Sequence, residues 1–335
     1  MKASARIVVG LVLGSLLFSL TACAGKKEPT SDHKAKTTAC LIRSEIQVPG
    51  TPEKQLAADL VEAQVVYGLA VREVEITRGA GSISTKLLSA LQSGCVLMVS
   101  ANTDYLNDLA TFARLHAKMM VLFVGGGISE ADQPANFRWV ADGALSGAKL
   151  AGFAAAGKSH QQRVNLFIQP SYFQAKNIEQ AFSEGLAAYN LITNTEVKLV
   201  VHEVTTTLEI RTHLKKLDSA DVIAIFAGKN VWQGLTSFDS AGPVVLAADI
   251  QFGDTLKIKD SRVIASIERG TSLPVLKAVS SLLARKFISE PKYRVEQTLK
   301  SNLIVLRTLD AGVFDGELLD RLDSYKQGLI ASKTN

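Results

Sequence analysis

Three cysteines, at positions 23, 40 and 95, are all that 335 residues carry, and none sits in a Cys-x-x-Cys pair or a Cys/His cluster. His33, His116, His160, His202 and His213 are equally dispersed. Neither pattern supports a metal site, and no cofactor is expected. Hydrolase and nucleotide signatures are missing too: there is no Gly-x-Ser-x-Gly elbow, no Gly-x-x-x-x-Gly-Lys-Ser/Thr loop and no His-Glu-x-x-His helix. The chain is therefore not expected to be an enzyme. Gly125-Gly126-Gly127 follows an apolar run as a phosphate loop would, but residues 128–134 bring Glu130 and Asp132 beside any anion and open no clear helix. It reads as a plain loop. Aromatic residues make up 6% of the chain, and its formal charge of +5 is scattered rather than striped. Nucleic acid is thereby disfavoured as a partner, and the basic balance is read as solubility.

What the chain does have begins at its start. Lys2 and Arg6 precede Ile7–Leu20, a stretch without charge. About 14 such residues fall short of the roughly 20 that span a bilayer, so residues 1–22 read as a targeting segment to be set aside from the fold. Leu20-Thr21-Ala22-Cys23 resembles the lipobox of bacterial lipoproteins. That resemblance implies lipidation of Cys23, cleavage before it, and a bacterial cell membrane location facing the extracytoplasmic side. Residues 23–38 are polar and without periodicity, as a flexible tether would be.

About 300 residues remain, which suits two lobes. The guiding stretch is 221–251. Val222–Phe226 is an apolar, largely β-branched run that breaks at Ala227-Gly228 into Lys229-Asn230. An amphipathic segment with Val231, Trp232, Leu235 and Phe238 follows, and after Gly242-Pro243 a second run from Val244 ends on Asp249. Short apolar runs bounded by turn signals are strands buried on both faces. Two of them joined through a helix make a unit of parallel sheet. The alternation recurs along the chain: strands over 40–44, 71–77, 95–100, 119–124 and 137–141 lead to a small-residue helix over 143–156, and the order restarts after Gly157 with a strand over 164–169. Thr51-Pro52-Glu53 is expected to open a helix with Thr51 as cap, and Asp315 to cap the last helix.

The predicted fold class is α/β, with two doubly wound parallel-sheet lobes and a ligand cleft between them. The N-terminal lobe is assigned to 39–156, completed by about 270–300. The C-terminal lobe is assigned to 157–269, completed by about 301–335. Ligands of such sheets bind at the carboxyl ends of strands, which selects Asn102, Asn230, Trp232 and Asp249. Tyr172 and Phe173, after the strand over 164–169, are candidates to stack on a flat ring. Each of these has an ordinary alternative: Phe173 as core, Asp249 as a turn residue.

Leu150-Ala151-Gly152, Phe226-Ala227-Gly228 with Gly234, Asp249-Ile250-Gln251 and Val263-Ile264-Ala265-Ser266 together resemble, in order and spacing, motifs of the basic membrane lipoprotein family. The likeness covers roughly 90–330 and the lipobox. It implies a type I periplasmic-binding fold and a solute receptor of an ABC importer, with a permease as partner and a small polar ligand, in that family often a purine nucleoside. A Med-like subset tied to competence regulation supplies the alternative, a lipid-anchored sensor with a degenerate pocket. By matching position, Ser266 is the family serine, Arg269 stands where a lysine is usual, and Asp249 is the remaining hydroxyl acceptor. The chain departs from the nucleoside binders at Ser44–Gly50, where that family carries an Asp and a Phe-Asn pair, and at Gly125-Gly126-Gly127, where it carries an Asp.

In that fold the first and third strands are neighbours, so Cys40 and Cys95 open adjacent strands. A bridge needs both side chains on one face, and a register slip of one residue removes it. Two buried free thiols are the default expectation. For the anchor, Cys23→Ser is expected to release the protein from the membrane fraction or leave it unprocessed; a variant that fractionates and migrates like wild type would refute lipidation.

Overall fold

Short runs such as Cys95–Ser100 and Val222–Phe226 become strands because the chain buries them on both faces. The structure, a computed structural model, describes residues 37–45, 49–77, 83–125, 133–141, 143–217, 222–228, 231, 244–247, 263–269, 272–288, 304–308, 312 and 314–332. All of these lie within one unit, Lys36–Asn335. The first sheet holds β1 (Thr38–Ser44), β2 (Ala70–Ile76), β3 (Cys95–Ser100), β4 (Met120–Gly125) and β5 (Phe137–Ala141), in the order β2-β1-β3-β4-β5 and parallel throughout. The second holds β6 (Arg163–Ile168), β7 (Lys198–Glu203), β8 (Val222–Phe226), β9 (Val244–Ala247), β10 (Val263–Arg269) and β11 (Ile304–Thr308), ordered β11-β10-β9-β8-β6-β7. Only the β10–β11 pair is antiparallel among these. The α/β class and the paired parallel sheets match the expectation from sequence.

Helices cover the sheets: α1 (Glu53–Tyr67), α2 (Ile83–Gln92), α3 (Leu106–Leu115), α4 (Ala144–Lys158), α5 (Ala175–Thr193), α6 (Thr207–Leu214), α7 (Ser272–Leu283) and α8 (Gly316–Ser332). Gly68, at φ 66°, ends α1 in the left-handed conformation with its N–H on Gln64 O. Thr206 and Glu209 form a capping box on α6. Asp315 caps α8 as expected, its Oδ1 accepting the Leu318 N–H at 2.8 Å. The start of α1 differs from expectation. Pro52 rather than Thr51 occupies the cap position, no side chain caps it, and the first helical residue is Glu53. Proline, lacking an N–H and holding φ at −77°, suits that turn.

The two cores are joined by crossings. Of α4, residues from Ala144 to Ala156 are mostly buried, and they pack with Val164, Leu166, Phe182 and Leu186 in the core of the second sheet. A lobe boundary at 156/157 assigns this helix to the first lobe. Its packing puts it in the second, so the chain passes between the sheets after β5. A helix of small apolar residues has no polar face to announce which sheet it will cover. Close approach to α5 decides it: a Cβ on Gly152 would lie 2.0 Å from Phe182 O, and one on Gly185 would lie 2.0 Å from Lys149 O. The chain then returns twice. Val275, Ala278, Val279 and Phe287 pack on Leu56, Leu60 and Ala63 of α1 in the first core. Buried Arg138 of β5 holds that return, donating to Phe287 O at 2.8 Å with its guanidinium 4.2 Å from the centre of the Phe287 ring. Finally α8 rejoins the second core, where Tyr325 stacks on Phe153 at 4.6 Å.

Cys40 and Cys95 form a disulfide, with Cα atoms 5.9 Å apart. This corrects the expectation of free thiols. The register shifts at the start of the β1–β3 pair, Thr38 facing Cys95 but Ala39 facing Leu97. That irregularity brings Cys95 level with the face on which Cys40 lies, two residues beyond Thr38. Both half-cystines are buried. Thiol counting on the denatured, unreduced protein should find none from Cys40 and Cys95. Reduction should destabilise by about 4 kcal/mol for a loop closed across 55 residues. Two titrating thiols besides Cys23 would overturn the bridge.

Candidate functional site

The carboxyl ends of strands from both sheets meet around one short turn. β1 leads, past Ser44 and Glu45, to Pro49-Gly50, where Gly50 takes φ +81°. On the other side, β6 continues into Gln169–Phe173 and β8 into Ala227-Gly228. The Phe173 N–H donates to Pro49 O at 2.8 Å. A Cβ on Gly50 would lie 2.3–2.6 Å from three atoms of the Tyr172 ring, and one on Gly228 would lie 2.8 Å from Pro49 Cγ. Only glycine admits contacts this close. Gln169 organises the second-lobe side: its Oε1 accepts the Gly228 N–H at 2.8 Å, its N–H donates to Phe226 O, and its carbonyl accepts the Tyr172 N–H. Nothing in the sequence marks Gln169 for this, because its role lies in a loop-to-loop contact.

Tyr172 and Phe173 therefore sit at a strand end, as predicted, yet both are buried. Tyr172 lies flat against Gly50 and meets Phe226 edge-on at 6.0 Å. The tip of Phe173 reaches Gly125 at the end of β4, where a Cβ would lie 3.6 Å from it. The faces expected to receive a ligand ring are turned on the protein itself. Asn102 follows β3 as expected and is buried, with its Oδ1 accepting the Asp104 N–H at 2.9 Å and so capping the short helix Thr103–Tyr105. Ser100, just before it, donates from Oγ to Ile42 O and accepts the Asn102 N–H. Arg269 closes β10 opposite Ile304 of β11. Cys23, Asn230, Trp232 and Asp249 lie outside the described residues.

Among the described residues, two buried side-chain oxygens are without a hydrogen-bond partner: Ser266 Oγ in β10 and Glu53 Oε2 at the start of α1. A buried acceptor left unpaired is costly, and each can receive a donor that reaches it. The sequence marks Ser266 but not Glu53, because an acid at a helix start reads as a solvated end. Burial pushes the Glu53 carboxyl up from its ordinary range, against the lowering effects of the Ser44 backbone N–H and of Arg43. His202 and His213, separate in sequence, come together with 4.6 Å between ring centroids, beside Phe167. His202 also pairs with Asn165 Oδ1 at 3.1 Å. Burial first, then His213 and Arg163, hold its pKa below the usual value. No group of three or more His, Cys, Asp or Glu able to hold a metal occurs among the described residues.

No family model matches the sequence, and no curated protein matches it. Solved structures do match the fold. A solute-binding protein of an ABC transporter system from Aeropyrum pernix K1 aligns with TM-score 0.69 at 12% identity, over 89% of this chain and 92% of that one. A transcriptional activator of the comK gene from Bacillus halodurans aligns with TM-score 0.63 at 13% identity, over 87% and 96%. A carbohydrate transporter solute-binding protein from Agrobacterium radiobacter, in complex with D-arabinose, aligns with TM-score 0.55 at 15% identity, over 86% and 99%. At these identities the likeness shows the fold: two lobes of the periplasmic-binding-protein kind.

The Glu53 carboxyl gives a pH signature. An acid whose folded-state pKa is raised contributes stability below its unfolded value of about 4.5, lost as pH rises through the folded value. Glu53→Gln should thus melt higher than wild type at pH 7, with the gap closing as pH falls toward 4.5. A variant that melts lower at pH 7 would mean that the carboxylate has a partner in solution.

Proposed function

We propose that this chain is a non-catalytic, extracytoplasmic solute-binding protein that takes a small polar molecule between its lobes and presents it to an ABC-type permease. The observation that carries the reading is the meeting of the strand ends of both sheets at Pro49-Gly50, Tyr172-Phe173 and Gly228, where open α/β sheets bind ligands. Structural neighbours named as ABC solute-binding proteins support it, as does one that holds a pentose. The orphaned Glu53 oxygen, at the start of α1 beside the end of β1, favours a ligand with hydroxyl or N–H donors. A nucleoside, suggested by the family resemblance, is the finer form of this proposal. Lipidation of Cys23 would tether the protein to the bacterial cell membrane. The Cys40–Cys95 bridge supports an oxidising compartment outside the cytoplasm.

A second reading is a lipid-anchored regulatory protein without transport. Two observations favour it: the neighbour that activates comK, and the burial of Tyr172 and Phe173 against the chain itself. Thermal shift separates the two. Pentoses, including D-arabinose, and purine nucleosides are each titrated into the purified protein. A saturable rise in melting temperature is expected for at least one, since a ligand at 100 times its Kd adds about 2.7 kcal/mol. No shift with any of them would reject the solute-binding reading as stated and favour the regulatory one.

A further inference from the structure

We infer that Pro49-Gly50 is an intramolecular latch that holds the two lobes together with no ligand between them. The inference goes beyond the solute-binding reading and stands whether or not a solute is carried. The lobes are joined directly at the strand ends, by a knob from one lobe and a fitted socket on the other. The knob is the turn after β1. The socket is Gln169, Tyr172, Phe173 and Gly228.

Four features make the socket specific to the knob. The Phe173 N–H, beyond the end of β6, donates to Pro49 O at 2.8 Å. Gly50 brings its Cα against the Tyr172 ring, at a φ of +81° and with no room for a Cβ. Gly228 leaves the space that the Pro49 ring fills. Gln169 fixes both sides of the socket at once, through the Gly228 N–H and the Tyr172 N–H. Two glycines facing each other's lobe, each admitting a ring, form a built contact rather than an incidental touch. The Phe173 ring extends the contact to Gly125 at the end of β4. Opening the cleft then requires withdrawing Pro49-Gly50 from Tyr172 and breaking the Phe173–Pro49 bond. An entering ligand competes with the chain's own turn, and its apparent affinity falls by the fraction of molecules that are unlatched.

Hydrogen exchange on the full-length protein in detergent, without added ligand, reads this directly, because the Phe173 amide bonds across the lobes. In wild type it should be protected, alongside the Leu166 and Phe167 amides of β6. Gly228→Val acts from the socket and Gly50→Ala from the knob. Each should speed Phe173 exchange by at least about tenfold while the β6 amides keep their protection. A Phe173 amide that exchanges freely in wild type while β6 is protected would overturn the latch. So would two folded variants that leave it unchanged. Should either variant lose β6 protection as well, it has failed to fold, and the wild-type amide and the other variant decide. A failed ligand titration leaves this readout untouched, so the latch and the solute-binding reading fail separately.

Discussion

The second lobe depends on a backbone contact. Where α4 crosses α5, Gly152 meets the carbonyl of Phe182 and Gly185 meets that of Lys149, with no space for a methyl group at either point. Helices packed through ordinary side chains lie about 8–10 Å apart; glycine at the crossing removes the side-chain layer and lets the two backbones touch. The approach also places Lys149 beside Glu184, ion-paired at 2.6 Å on the outer edge. Because α4 then lies deep, its remaining faces are free to cover the second sheet on one side and to receive α8 on another, through Phe153, Tyr189 and Tyr325. Leu318 of α8 fits against Gly157, where a Cβ would come within 2.2 Å of it.

Covering both faces of two largely parallel sheets forces the chain to cross between lobes more than once. The return of α7 to the first core is held by a buried cation whose hydrogen bonds go to Phe287 O and Ser281 Oγ and whose face lies on the Phe287 ring. A guanidinium suits this place because it stacks and donates at the same time. Edge strands are handled differently: β2 carries Glu73 and Glu75, both paired with Arg43 of β1, and so presents charge where another strand would otherwise add.

The strand ends illustrate how far residue-level reasoning reaches into the site. That Tyr172 and Phe173 follow a strand is legible in the sequence, since the apolar run 164–168 and the polar break behind it are local signals. Which surface their rings meet is not local. It depends on Gly50, in a turn of the other lobe, and on Gly125. Asn102 is a similar case: its position after β3 is readable, its work as a cap on the next turn is not. Glu53 carries no mark in the sequence because a carboxylate in a first helical turn is ordinarily solvated and favourable there. Only the packing around the end of β1 buries it.

By itself the sequence determined the alternation of strands and helices, the two-lobed α/β class and the Asp315 cap. These follow from periodicity and turn chemistry within windows of about a dozen residues. Tertiary structure decided the rest. The β1–β3 register irregularity joined Cys40 to Cys95, although an unbroken ladder would have left them apart. Glycine crossings gave α4 to the second lobe, although its composition fits either. The fitted turn at Pro49-Gly50 filled the space before Tyr172. Register, crossing distance and facing are set between segments far apart in the chain, so no local pattern carries them.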